Sequence, residues 1–186
     1  VAAIGFDATC SLVIRDASGQ PVTVSQTGDP SRDTIVWLDH RAHREADQCT
    51  ATGHAVLVHA GGSMSPEMQI PKLMWLKNHL NQSWSRMAHA FDLADFLTWK
   101  ATGSTARSQC TLTCKWTYRP HEPGGWSPDF LHAVGLDDLI AKAGLPARAA
   151  PVGSLIGALS RQSALELGLT ENCKVSAGLI DAYGGA

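Results

Sequence analysis

Two apolar runs of small residues, one near each end of the chain, each stop at an aspartate. Ala2-Ala3-Ile4-Gly5-Phe6 leads into Asp7, and Val175-Ser176-Ala177-Gly178-Leu179-Ile180 leads into Asp181. Continuous apolar runs of this length read as strands buried on both faces, which need neighbouring strands on each side and helices over the sheet. Both therefore read as interior strands of a sheet, and the 186-residue chain as part of a larger protein. Between them, extended runs alternate with helical patterns. Residues 11–16 and 22–24 flank the turn Asp16-Ala17-Ser18-Gly19-Gln20-Pro21 as a hairpin, and residues 34–38 form a further strand ending at Asp39. Helices are expected over residues 41–52, stopped by Gly53, and over 71–80, opened by Pro71 with Leu73, Leu76 and Leu80 on one face. Shorter ones are expected from about Asp92 to Gly103, from Ser127-Pro128 to Gly135, and from Ser160 to Gly168. Residues 118–128, rich in Pro and Gly, form a loop, and residues 174–180 form the last strand. Such an order is α/β, with a mixed sheet and flanking helices.

Composition narrows the function classes. With 44% hydrophobic and 17% charged residues the chain can build a core. Fifteen basic against seventeen acidic residues provide neither the clustered positive surface of a nucleic-acid clamp nor a polybasic membrane patch. No run has the length of a membrane span, and the first residues lack the pattern of a secretory signal. Five cysteines, an odd number, fit free thiols in a reducing compartment better than a disulfide framework, so a cytoplasmic location is expected. Cys110 and Cys114 form a C-x3-C pair without a second pair, and the Asp39-His40-Arg41-Ala42-His43 stretch likewise lacks partners for a metal. No metal site is expected.

Several residues stand where chemistry is done. In open α/β sheets ligands bind beyond the carboxyl ends of strands, which marks Asp7 and Asp181. Asp181 is the stronger candidate, because small residues after it (Ala182, Gly184, Gly185, Ala186) let a ligand approach the backbone; either acid can instead cap a following helix. Asp39 and Arg41 can form a bidentate pair with each other. Glu67, between Pro66 and Pro71, suits a helix start and can equally be an exposed first-turn acid. Lys115 lies in the otherwise uncharged stretch Leu112-Thr113-Cys114-Lys115-Trp116-Thr117-Tyr118, where a lysine either snorkels from a core edge or holds a polar ligand. The residues alone favour the first.

A family resemblance changes that balance. The segment Gly5-Phe6-Asp7-Ala8-Thr9-Cys10-Ser11-Leu12-Val13, together with Trp37-Leu38-Asp39-His40-Arg41-Ala42, resembles the FGGY carbohydrate kinases. So do Ser65-Pro66-Glu67-Met68-Gln69 with Pro71-Lys72-Leu73-Met74-Trp75-Leu76-Lys77, Phe91-Asp92-Leu93-Ala94-Asp95-Phe96-Leu97-Thr98-Trp99, Cys114-Lys115-Trp116-Thr117-Tyr118, and Gly178-Leu179-Ile180-Asp181-Ala182. These blocks span nearly the whole chain in family order and look most like the ribulokinase-type branch. The resemblance implies a ribonuclease H-like, actin-like ATPase fold. It implies an enzyme that uses ATP and Mg2+ to phosphorylate a small sugar, D-ribulose first, with L-ribulose, xylulose or a sugar alcohol as alternatives.

By the same resemblance Asp181 is the catalytic base, Glu67 and Lys115 hold sugar hydroxyls, and Thr9 and Cys10 close on the sugar from the other side. Asp39 and Arg41 are assigned to shaping the pocket. Tyr183 stands where related kinases often have His. Residues 1–186 then form one partial domain, the middle and end of the family's sugar-binding N-terminal domain. The first phosphate-binding hairpin and the C-terminal domain are expected outside the chain, which alone is expected to be inactive. Apolar surface that a partner domain would cover is expected to favour self-association. The competing readings are a non-catalytic sugar-binding module and a structural domain with a metal on Cys110 and Cys114.

Overall fold

The strand at residues 12–15 is apolar without alternation, and its surroundings explain why. In the computed structural model, which describes residues 1–184, Leu12, Val13 and Ile14 are fully buried. The chain opens with β1 (Ala3–Ile4) and β2 (Asp7–Ala8), and β3 (Leu12–Arg15) follows as the centre of an antiparallel sheet. Its neighbours are β4 (Thr34–Ile35) and, far along the chain, β5 (His89–Asp92). Leu12 faces Ile35 on one side and Asp92 on the other.

The hairpin expected after β3 is present only in outline. Pro21 bridges to Arg15 and Val22 N donates to the Ile14 carbonyl at 3.3 Å, but no second strand of the hairpin forms. Proline has no N–H to continue a ladder. The strand expected over residues 34–38 stops at Ile35, because a turn closed by Asp39 N donating to the Val36 carbonyl (3.0 Å) lifts Trp37 out of the sheet.

Helix α1 (His43–Ala51) follows, stopped as expected by Gly53 at φ 59°. A 3-10 turn at Ala55–Ala60 leads toward α2 (Gln69–His79) and α3 (Asn81–Arg86). Helix α2 is buried on every side from Gln69 to Leu76, including the polar Gln69 and Lys72. After β5 come α4 (Leu93–Thr102), closed by Gly103 in the left-handed conformation, and α5 (Gln109–Lys115). Helix α5 went unassigned in the sequence, where Thr111, Thr113 and Cys114 weaken the helical signal. It is started by Ser108, whose Oγ accepts from Cys110 N at 3.1 Å.

Helices α6 (Pro128–Ala133) and α7 (Leu139–Lys142) complete the main core around Leu12, Ile14, Leu73, Leu76, Trp116 and Phe130. Strand β6 (Leu155–Ala158), which the sequence did not announce, precedes α8 (Arg161–Leu167). The predicted cap of α8 is realised, with Ser160 Oγ accepting from Ser163 N at 3.1 Å.

The two apolar end runs are adjacent and parallel, but each is broken in the same place. Strand β7 (Lys174–Ser176) pairs with β1, whereas β8 (Leu179–Ile180) pairs with β2, and α9 (Asp181–Gly184) follows at once. Glycine makes the paired break possible. A Cβ on Gly178 would lie 2.6 Å from the Phe6 carbonyl oxygen, and one on Gly5 would lie 2.7 Å from Ser176 Oγ. This close approach sets β8 beside β2 and brings Asp181 next to the turn that leaves β2. No helix among the described residues is long and apolar enough to cross a membrane.

Candidate active site

A cavity of about 320 Å³ opens where β2, β8 and the C-terminal end of α5 meet. Five residues singled out in the sequence line it: Thr9, Cys10, Glu67, Lys115 and Asp181. They come from four separate stretches of chain. Trp37, Ile180, Ala182 and Tyr183 complete the wall.

Several wall residues are placed by contacts behind them. Thr9 Oγ1 lies 3.0 Å from Ser11 Oγ, and Ser11 Oγ accepts from Trp37 N at 3.1 Å, so the β2 turn and the Trp37 turn are tied together. The Cys10 carbonyl accepts from Gln69 Nε2 at 2.8 Å, and the same amide donates to Asp92 Oδ1 at 2.7 Å. Asp92 also accepts from Trp116 Nε1, next to Lys115 in the chain. Burial pushes the Asp92 carboxyl up to about 7, against the pull of its hydrogen bonds to Trp116 and Gln69. Lys72, wholly buried in α2, donates to the carbonyls of Val36 (3.0 Å) and Trp37 (3.2 Å), and desolvation lowers its pKa.

At the mouth, Glu67 N donates to Ser65 Oγ at 3.2 Å, and Glu67 Oε1 lies 3.0 Å from His40 Nε2. Asp181 Oδ1 accepts from Ala182 N at 2.9 Å, which orients the carboxylate at the exposed end of β8. Burial raises the Cys10 thiol, while the neighbouring Lys115 ammonium acts in the opposite sense. Burial also raises the Cys114 thiol, and the neighbouring Cys114 raises the Tyr183 phenol. The cavity thus combines an exposed carboxylate, a second acid, an ammonium, hydroxyls and two aromatic rings. Such a set suits a small polyhydroxylated ligand with a proton acceptor at one end.

Asp39 and Arg41, expected to shape this pocket, do not line it. Arg41 grips both Asp39 oxygens through Nε and Nη2 (3.0, 3.0 and 2.6 Å), donates to the Val24 carbonyl at 2.7 Å and lies over the Trp75 ring at 4.7 Å. The pair borders a different depression with Ser25, Gln26, Thr27 and Trp75. Their charges are used on each other, which holds Asp39 below the usual carboxylate range. Asp7 also lies outside the cavity, packed against Gly184, where an added Cβ would come within 2.8 Å of its Oδ2. All five cysteines are free, and among the described residues no group of three or more His, Cys, Asp or Glu could hold a metal ion.

The sequence does not single out Trp37, and it marks His40 only as a weighed and rejected metal ligand, not as a partner of Glu67. A tryptophan just before the Asp39 turn was the available signal for the first. The pairing of His40 with Glu67 has none, because the two are 27 residues apart.

Residues 15–186 match the model of the N-terminal domain of the FGGY family of carbohydrate kinases. The chain belongs to the FGGY family. It is 49% identical over 189 residues to an FGGY carbohydrate kinase domain-containing protein of Danio rerio, covering 100% of this chain and 34% of that protein. It is 40% identical over 199 residues to a D-ribulokinase of Saccharomyces cerevisiae, covering 100% of this chain and 28% of that protein. The FGGY chain thus spans about a third of the length of the curated relatives it matches. Among solved structures it is similar to a xylulose kinase from Rhodospirillum rubrum. The TM-score is 0.77 at 19% identity, covering 97% of this chain and 35% of that one. A xylulose kinase from Brucella ovis gives 0.72 at 22% identity, covering 97% and 35%. The fold is therefore that of the FGGY sugar kinases, the actin-like, ribonuclease H-like arrangement expected from the resemblance.

Proposed function

We propose that the full protein phosphorylates a pentulose, D-ribulose first, and that this chain supplies its sugar-binding part. The observation that carries the reading is the convergence of Asp181, Glu67, Lys115, Thr9 and Cys10 on one cavity. The similarity to a D-ribulokinase at 40% identity supports D-ribulose as the first substrate.

Asp181 stands at a strand end with its carboxylate exposed and oriented by the Ala182 N–H. In this reading it accepts the proton of the sugar hydroxyl as that oxygen forms its bond to phosphorus. Lys115 donates to sugar oxygens and Glu67 accepts from a hydroxyl, so the acceptor oxygen is held in one orientation. Trp37 covers an apolar face of the sugar.

ATP supplies the phosphoryl group in this family, with Mg2+ to neutralise charge. The described residues do not fit that pair: the cavity has one cationic side chain, Lys115, and no metal-holding cluster is present among the described residues. The reading therefore assigns nucleotide and Mg2+ binding to the portion of the protein that this chain does not span. The free cysteines agree with a cytoplasmic setting.

The test is ATP consumption by the full-length protein against D-ribulose, L-ribulose, xylulose and polyols, with this chain run alongside. Turnover of D-ribulose by the full protein and none by the chain is expected. Turnover by the chain alone would overturn the division of labour. Silence of the full protein on every sugar would leave a non-catalytic sugar-binding module in its place.

A further inference from the structure

His40 has no role in the reading so far, yet it makes the only side-chain hydrogen bond given to Glu67 among the described residues. A carboxylate only accepts, so Nε2 carries the proton and donates to Oε1 at 3.0 Å. Glu67 Oε2 is left without a partner among the described residues, on a side chain that lines the cavity.

The neighbours of His40 are fixed from several directions. Arg41 N donates to Asp39 Oδ1 at 2.9 Å, and the guanidinium ties Asp39 to the Val24 carbonyl and to the Trp75 face. From α1, the His43 ring stands edge-on to His40, with centroids 5.4 Å apart at 79°. The Asp39–Arg41 pair lies off the cavity, but it shapes the turn from which His40 reaches Glu67.

We propose that His40 is a positioning residue for sugar recognition. It holds Oε1 of Glu67, so that Oε2 is the oxygen left to accept from a sugar hydroxyl. The Asp39–Arg41 clamp makes that contact reproducible. Selectivity among pentuloses then depends on a residue that need not touch the sugar. This inference rests on the phosphorylation reading above.

The experiment is steady-state kinetics of the full-length protein, with D-ribulose and ATP varied separately. The proteins are the wild type, His40→Ala, His40→Gln, Glu67→Gln and the His40→Ala/Glu67→Gln double variant. Thermal melting of each accompanies the kinetics. Loss of the positioning hydrogen bond should raise the D-ribulose KM about tenfold. The ATP KM and kcat should stay within about twofold, because a ground-state sugar contact is what is lost. His40→Gln keeps an N–H donor and should recover most of the KM. The double variant should be no worse than Glu67→Gln alone, because both changes remove one interaction.

A wild-type KM in His40→Ala, a Gln variant no better than Ala, or additive losses in the double variant would each overturn the proposal. So would losses that follow melting temperature across the series. A wild type silent on every pentulose would remove the phosphorylation reading, and this inference with it. An active wild type beside an unaffected His40→Ala would remove this inference alone.

Discussion

The ammonium of Lys72 donates to the main-chain carbonyl of Trp37 at 3.2 Å, from a side chain with no exposure to solvent. The link connects the most buried face of α2 to an aromatic ring on the cavity wall. With the Ser11 hydroxyl accepting from Trp37 N at 3.1 Å, it fixes the Trp37 peptide from both sides.

Replacing Lys72 by Met keeps the volume but removes both donations. The expected result is a Trp37 turn that moves, a D-ribulose KM raised severalfold, and stability lowered by about 1–2 kcal/mol. Acrylamide quenching of tryptophan fluorescence and sugar kinetics measure these effects. Unaltered quenching with an unaltered KM would show that the turn holds without its lysine.

Burial raises Asp92 to about 7 and Asp95 to about 6. A carboxyl whose folded pKa exceeds its unfolded value binds more protons in the folded state. Its contribution to stability is greatest below about pH 4 and is lost as pH rises through the folded value. Stability should therefore fall from about pH 4 to about pH 7 on account of Asp92 and from about pH 4 to about pH 6 on account of Asp95, by up to about 1.4 kcal/mol per pH unit for each group. Asp92→Asn should flatten that slope. Urea midpoints for wild type and variant across this window test it, and parallel pH profiles would count against the assignment.

Asp181→Asn keeps the size of the side chain and removes the proton acceptor. Turnover should fall by about a thousandfold, with the sugar dissociation constant changed by less than about threefold. Calorimetry beside the kinase assay separates the two quantities. A variant with near-normal turnover would exclude Asp181 as the base.

Gly178 lets β8 approach Phe6. Gly178→Ala would place a methyl group 2.6 Å from the Phe6 carbonyl oxygen and 3.2 Å from Ala94 Cβ. A loss of about 1–3 kcal/mol in stability is expected. Sugar affinity should fall as well, because Asp181 is carried on the displaced strand. A stable variant with unchanged affinity would show that the kink relaxes without moving the site.

Local chemistry was legible in the sequence because it depends on neighbours within a turn or two. Ser160 announced α8, Pro128 announced α6, Gly103 ended α4, and an acid at the end of an apolar run marked Asp181. Motif order revealed the family, and with it Glu67, Lys115, Thr9 and Cys10.

What the sequence could not decide was which of these side chains would meet. Asp39 and Arg41 lie two residues apart and neutralise each other, whereas Glu67 finds His40 across 27 positions. A helix with Leu73, Leu76 and Leu80 on one face is expected over residues 71–80, but α2 is enclosed on all sides and the Lys72 ammonium is taken up by distant carbonyls. One long strand was expected where β7 and β8 stand, and the break arises only when Phe6 is packed against Gly178. Pairing, burial and desolvation are set by groups far apart in the chain. The sequence therefore determined most of the elements and the candidate chemistry, and the tertiary structure decided where strands break and which residues form the cavity.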